Sequence, residues 1–378
     1  MEDNGTKRKH MLLGLGSLLL IAGIAYSIYW FSHGQFFQAT DDAYVSGNLV
    51  QLMPQVSGNV VSIHAQDTEL VKAGQVLVKL DGTDAKLALR TAENDLAETV
   101  RSVKQRFETA NELKATVNEK QVELDKAKED LRRRQKLISD HAVSSEELQH
   151  AKDNTVIAQS SLDSAKHRFE AARSAVANTT LDAHPSVLKA EARLREVWLG
   201  VQRTTIEAPA TGYIAKRSVQ IGQRVSPGSS LMVIIPLNEI WVDANFKEDQ
   251  LRHTRIGQSV ILTSDLYGSK VEFHGKVAGL GAGTGSVFSL LPPQNATGNW
   301  IKVIQRLPVR ITLDANEIAQ HPLRIGLSMV ATVDTHDESG SMLSGGQHEE
   351  PVYSTSVFEK KDDAVERLIE KILSDNAK

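Results

Sequence analysis

Two stretches of this chain match without gaps at an offset of 154 residues: Gly58, Val60, Val71, Gly74 and Leu77 recur as Gly212, Ile214, Val225, Gly228 and Leu231. Each copy reads as a glycine, a short β-branched strand, a polar stretch, then Val-x-x-Gly and a second apolar strand. Short strands joined by glycine turns form half of a small β-sandwich, and an internal repeat of this kind constrains the fold before any other feature does. The expected split domain occupies 53–82 and 204–236, and residues 83–203 lie between its halves.

That insertion is helical by periodicity. Leu89, Leu96, Val103, Ala110, Val117, Leu124, Leu131 and Ile138 recur every seven residues. In the second arm Leu148, Ala151, Thr155, Ala158, Leu162, Ala165, Phe169, Ala172, Val176 and Thr179 step three and four alternately, the a/d row of a coiled coil. Beyond Val176 two successive steps of four form a stutter, and it coincides with His184-Pro185, where proline removes a backbone donor and disfavours helix at the preceding residue. A kink or break is expected there. Arms of nearly equal length, about 83–139 and 145–203, with a turn of a few residues between them, permit only an antiparallel return. The tip falls at about 139–145.

The half-motif resembles the biotinyl/lipoyl carrier domain, whose halves meet at a tight hairpin bearing the modified lysine. Here 83–203 replace that hairpin, so no short exposed turn presents a lysine for a swinging-arm cofactor. No cofactor is expected.

Upstream, the apolar run 11–31 is long enough, at about 1.5 Å per residue, to cross a hydrocarbon core of roughly 30 Å. Lys7, Arg8, Lys9 and His10 precede it, which predicts a cytoplasmic N-terminus (1–10) and export of the chain beyond Phe31. The run is long for a signal peptide, ends in Tyr29-Trp30-Phe31 and has no Ala-x-Ala site, so a retained single-pass anchor is expected.

Composition narrows the function classes. A net charge of −4 without an Arg/Lys block excludes the phosphate-neutralising face that nucleic-acid binding requires. With no cysteine, disulfides, thiolate metal sites and cysteine nucleophiles are excluded. The twelve histidines form no His-Glu-x-x-His pattern, and Asp41-Asp42, adjacent on a strand, point to opposite faces. Gly279, Gly281, Gly283 and Gly285 lack the Gly-Lys-Ser/Thr of a phosphate loop and read as a mobile loop. No catalytic or metal-binding constellation is expected, and the chain is not read as an enzyme.

Short alternating stretches from 237 to 335, such as 240–246, 259–263, 309–313 and 329–333, read as an antiparallel β-barrel, which strand-like residues 39–52 are placed to join. The fold class is therefore α+β multidomain: transmembrane helix, split lipoyl-like sandwich, long antiparallel coiled-coil hairpin and antiparallel barrel. From 336 to 378 a flexible polar tail is expected, with a short amphipathic stretch at Val365, Leu368, Ile369 and Ile372 that is marginal as an isolated helix.

This order of parts resembles the HlyD family of membrane fusion proteins. Three stretches are similar to its EmrA branch: Thr40-Asp-Asp-Ala-Tyr-Val-Ser-Gly47, residues 208–225, and Gly283-Thr-Gly-Ser-Val-Phe-Ser-Leu-Leu-Pro292 continuing to Asn295-Ala-Thr-Gly-Asn-Trp300. The resemblance implies an oligomeric periplasmic adaptor of the inner membrane. Its partners would be a major facilitator superfamily transporter and a TolC-like outer-membrane channel, and its pump would expel hydrophobic drugs. The same architecture also serves type I protein secretion and aromatic-acid efflux. Family members that meet such channels carry Arg, then Leu four residues on, then Ser seven further. Arg133, Leu137 and Ser144 fit that pattern across the turn located by the heptads. Ser144 with Glu147 also reads as a capping box, and Leu137 also suits the apolar row.

Overall fold

The computed structural model describes residues 4–32, 34–137, 142–176, 179–288, 302–343, 345–346, 351–359 and 362–377. In chain order the elements begin with α1 (Asn4–Ser32), a single 3-10 turn at Gly34–Phe36, β1 (Phe37–Gly47), β2 (Val50–Leu52), β3 (Gly58–Ile63), β4 (Leu70–Val71) and β5 (Val76–Leu80). Three helices come next: α2 (Thr83–Leu137), α3 (Ser145–Val176) and α4 (Pro185–Gln202). The chain returns through β6 (Thr205–Glu207), β7 (Gly212–Arg217), β8 (Arg224–Val225) and β9 (Met232–Ile235). It then forms β10 (Ile240–Lys247), β11 (Ser259–Ser264), β12 (Glu272–Leu280), β13 (Arg306–Leu313), α5 (Ala315–Gln320), β14 (Ser328–Asp334) and α6 (Asp362–Ala377).

The repeated half-motifs become two four-stranded sheets, ordered β2-β9-β7-β4 and β6-β5-β3-β8. Each copy lends its shortest strand to the other's sheet: β4 pairs with β7, and β8 with β3. The repeated apolar positions Val60, Val71, Leu77, Ile214, Val225 and Leu231 are all buried in one core. Gly74 and Gly228 both sit at positive φ, 81° and 91°, where a side chain would be strained. The same local sequence thus makes the same turn twice.

α2 and α3 pair as an antiparallel coiled coil. Ala110 and Leu124 of the heptad row are buried on α2, as are Ala151, Leu162, Ala165 and Val176 on α3. The second arm is not one helix from 145 to 203. α3 ends at Val176, and α4 starts at Pro185, whose missing N–H is harmless at a first helical position. His184 is extended and its Nδ1 accepts from the Ser186 N–H at 3.2 Å, capping the new helix. Val187, Leu194 and Trp198 of α4 then pack against Ala92, Leu96, Val100 and Val103 of α2.

Six strands close a barrel in the order β1-β10-β13-β12-β11-β14, with β14 pairing back to β1. Strict alternation places Val242, Ala244 and Phe246 inside, against Leu262, Phe273, Val309, Ile311 and Ala331. At Thr40–Ala43 the β1–β14 register shifts. There the Asp42 carboxylate accepts from Asn245 Nδ2 at 3.1 Å and Arg306 Nη1 at 2.9 Å, which ties β1 to β10 and β13.

Among the described residues no helix is long and apolar enough to cross a membrane. Within α1 the described side chains are those of residues 11–24, 26 and 27. That unbroken run covers about 21 Å of helix, short of the roughly 30 Å core. The span expected over 11–31 thus lies partly outside the described side chains and is not established by them.

The C-terminal segment, expected as a flexible polar tail, makes contacts with the rest of the chain at three places. Gln258 Nε2 donates to Asp337 O at 2.8 Å, and Ile256 N to Ser341 O at 3.0 Å, holding 337–341 on the barrel. Thr355 Oγ1 donates to Pro209 O at 2.7 Å beside the sandwich. α6 lies on the hairpin base, with Val365 and Ile369 buried in the α2–α4 core. Arg195 donates through Nε and Nη2 to both Glu366 oxygens, at 2.7 and 2.9 Å. A helix of this length is marginal alone; the groove between two longer helices supplies what it lacks.

Replacing Ile369 with Ala should cost about 2–5 kcal/mol, the usual range for a buried Ile truncated to Ala, up to the docking free energy of α6. Hydrogen exchange should rise over 362–377 and the facing turns of α2, leaving the barrel unchanged. Glu370→Ala, on the exposed face, should change neither.

Candidate functional site

The hairpin's far end is where its two long helices give way to a turn, and its geometry is set by how each helix stops. α2 ends at Leu137, whose carbonyl accepts from Ala142 N at 3.1 Å. Ile138 and residues 139–141 of the expected tip lie outside the described residues.

α3 begins with a reciprocal cap. The Glu147 N–H donates to Ser144 Oγ at 3.1 Å, while the Ser144 N–H and hydroxyl donate to Glu147 Oε2 at 2.8 and 3.1 Å. Those bonds, the Ser144 N–H first, hold the Glu147 carboxyl below the usual carboxylate range, with a smaller contribution from Arg134. The Ser144 hydroxyl is thus committed to the helix start.

Three consecutive arginines precede the turn, with different surroundings. Arg132 grips Glu129 through Nε and Nη2 at 2.8 and 2.7 Å, and Arg134 donates to Asp130 at 2.9 Å. Arg133 between them is exposed, and among the described residues no carboxylate accepts a hydrogen bond from it. Leu137, 45% exposed, stands four residues on, so the two share a face of the last turn of α2. The structure therefore gathers Arg133, Leu137 and Ser144 at one end of the hairpin, the first two outward-facing and the third engaged in a cap.

This end presents a basic and an apolar group side by side on the last turn of α2. Among the described residues no group of three or more His, Asp or Glu is placed to hold a metal ion. What sequence reasoning underweighted is the hairpin base. Its amphipathic signal at Val365, Ile369 and Ile372 was present, but no local pattern names the groove that receives it.

A helical hairpin inserted into a two-sheet sandwich, beside a closed six-stranded barrel, is the assembly of a membrane fusion protein of the HlyD type. The family description "EMRA, alpha-helical hairpin domain" matches residues 83–204. The multidrug export protein EmrA of Escherichia coli K12 is 45% identical over 371 residues, covering 98% of this chain and 95% of that protein. The fatty acid resistance protein FarA of Neisseria gonorrhoeae is 43% identical over 379 residues, covering 100% of this chain and 95% of its own length. A solved structure of the periplasmic adaptor protein EmrA aligns with 80% of this chain and 99% of its own at 17% identity, with a TM-score of 0.40. The chain belongs to the EmrA family.

The cap makes a prediction that separates helix stability from docking. Ser144→Ala should destabilise the start of α3 by about 1 kcal/mol, and Ser144→Asp should restore it, read by exchange of the 145–148 amides. Because the Glu147 pKa is lowered on folding, the cap's contribution is full above the unfolded value near 4.3 and is lost as pH falls through the lower folded value. Fraying of this turn should therefore begin only in acid, and Glu147→Gln should abolish that pH dependence.

Proposed function

We propose that this chain is the periplasmic adaptor of a tripartite multidrug efflux pump, held in the inner membrane by α1 with its N-terminus in the cytoplasm. In this reading a homo-oligomer joins an inner-membrane transporter of the major facilitator superfamily to a TolC-like outer-membrane channel. The transporter supplies the energy, and the adaptor supplies a path and a mechanical link without catalysing a reaction.

The observation that carries the reading is the hairpin. α2 alone has 55 residues, so it is about 80 Å long at 1.5 Å per residue. It ends in exposed Arg133 and Leu137. A rod of that length built on a small sandwich spans a distance and presents its end. The E. coli relative's name supports drug efflux, and the gonococcal relative's name supports apolar, amphipathic cargo. The membrane anchor is supported by the exposed apolar side chains of α1, among them Leu12, Leu13, Leu18, Leu19, Leu20 and Ile21. The split sandwich, with its halves related by the repeat, supports the lipoyl-like reading, and its strand-to-strand route leaves no lysine-bearing hairpin between the copies.

Photocrosslinking in cells from positions 133 and 137, with exposed Lys166 in mid-arm as control, tests the docking. Adducts to an outer-membrane channel from the tip alone are expected. A folded, membrane-bound protein that gives none from either tip position would reject tip docking. Arg133→Glu with Leu137→Asp should weaken channel binding at least tenfold, the change that about 1.4 kcal/mol of lost contact produces, and lower drug tolerance of a complemented deletion strain while leaving protein levels unchanged.

A further inference from the structure

The registers of the barrel fix what lies at each of its ends. Phe37 of β1 stands opposite Asp334 of β14, Lys247 of β10 opposite Arg306 of β13, and Leu280 of β12 opposite Val309. The connection between β12 and β13 therefore leaves the barrel at the end where α1 enters. At the other end Gly47 pairs with Ile240, and the chain passes on to the sandwich.

The described parts of that connection, 281–288 and 302–305, carry four large apolar side chains in water. Val287 is 67% exposed, Phe288 74%, Val303 60% and Ile304 56%. They are held rather than trailing. Ser286 Oγ donates to Gln305 Oε1 at 2.7 Å, joining the outgoing and returning stems. Gly281 N donates to Pro308 O at 2.8 Å and Glu248 N to Gln305 O at 3.1 Å. A Cβ on Gly283 would lie 2.9 Å from Phe288 Cε2, so the ring rests on a residue with no side chain. Four such groups on one pinned rim exceed the scattered exposure that surfaces normally show.

The distance to α1 says what covers them. Four residues separate Ser32, the last of α1, from Phe37, and fully extended they reach about 14 Å. Three of them form the 3-10 turn, and Phe36 O accepts from Thr335 N at 2.9 Å and Thr335 Oγ1 at 2.7 Å, which fixes the turn to β14. If α1 spans the membrane and ends at its surface, this rim stands at headgroup level, where aromatic and aliphatic side chains on a polar scaffold gain by insertion. Exposed Lys247, Arg252 and Lys302 share the rim with exposed Glu248 and Asp249, so apolar contact rather than net charge would hold it there.

We propose that Val287, Phe288, Val303 and Ile304 form a foot that inserts into the outer leaflet beside α1, fixing the barrel's height and tilt on the lipid surface. This rests on the reading of α1 as a membrane span. The chain has no cysteine, so single Phe288→Cys, Val303→Cys, Ile24→Cys and Leu266→Cys variants can each carry an environment-sensitive nitrobenzoxadiazole label. Leu266 is exposed and lies at the opposite end of the barrel. The full chain is reconstituted in phosphatidylethanolamine–phosphatidylglycerol vesicles, with and without lipid bearing a nitroxide, shallow for the labels at 288, 303 and 266 and deep in the acyl chain for the label at 24. Labels at 288 and 303 should shift to shorter wavelength and lose emission to the nitroxide, the label at 24 should do so as well, and the label at 266 should do neither. Quenching at 24 with 288 and 303 behaving like 266 would overturn the foot and leave the anchor standing. No quenching at 24 would remove the anchor and the foot together. Labels at 288 and 303 that stay in water in lipid alone, and respond only when the inner-membrane transporter is added, would also overturn the lipid assignment and give this rim to a protein partner.

Discussion

The exchange of short strands between the two half-motifs is the contact on which the other parts depend. β4 completes the second copy's sheet and β8 completes the first's, so neither sheet exists until both copies have met. The residues between them must therefore leave and return at neighbouring points. Two antiparallel helical arms do that at low loop cost, because each added residue lengthens the rod without widening its base. The barrel inherits the same constraint from the other side: β1 precedes the first copy, β10 to β14 come after the second, and they close only once the sandwich has brought positions 47 and 240 together.

Much of this was legible because it is periodic. Glycine and β-branched residues repeat at a fixed offset in the two half-motifs, and apolar residues recur every seven positions in the arms. Each pattern reports local geometry that the folded chain must satisfy. The break in the second arm was legible for a different reason: Pro185 is incompatible with a continuing helix whatever surrounds it, and the helix accordingly restarts on that residue. α6 was not legible in the same way. Its apolar stripe is visible, yet whether such a stripe frays in water or docks depends on a groove formed by residues about 170 and 270 positions away. Arg195, the residue that pairs with Glu366, sits in a helix whose own pattern explains it without α6.

At the tip the residue types were readable, and the division of labour among them was not. Three arginines in a row look equivalent in sequence. Only the spacing to Glu129 and Asp130 along the folded helix ties down Arg132 and Arg134 and leaves Arg133 turned outward. Ser144 was a candidate for both docking and capping, and two hydrogen bonds with Glu147 engage its hydroxyl. The geometry therefore leaves Arg133 and Leu137 exposed at this end of the hairpin, while Ser144 is engaged in the cap of α3.

The rod is not uniform along its length, and this bears on how it could transmit force. Near the sandwich, α2 and α4 share a core with α6 that includes Leu96, Leu194, Trp198, Val365 and Ile369. Beyond the described break at 179–184 the hairpin consists, among the described residues, of α2 and α3, and the buried residues of their row alternate small Ala110, Ala151 and Ala165 with larger Leu124 and Leu162. Small residues let the two helices approach closely but bury little apolar area per turn, so local opening costs less in the distal section than in the three-helix base. A rod stiff at its root and softer toward its end can hold its direction while its last turns adjust. The break lies at the junction of the two sections, where α3 has ended and α4 starts afresh on Pro185.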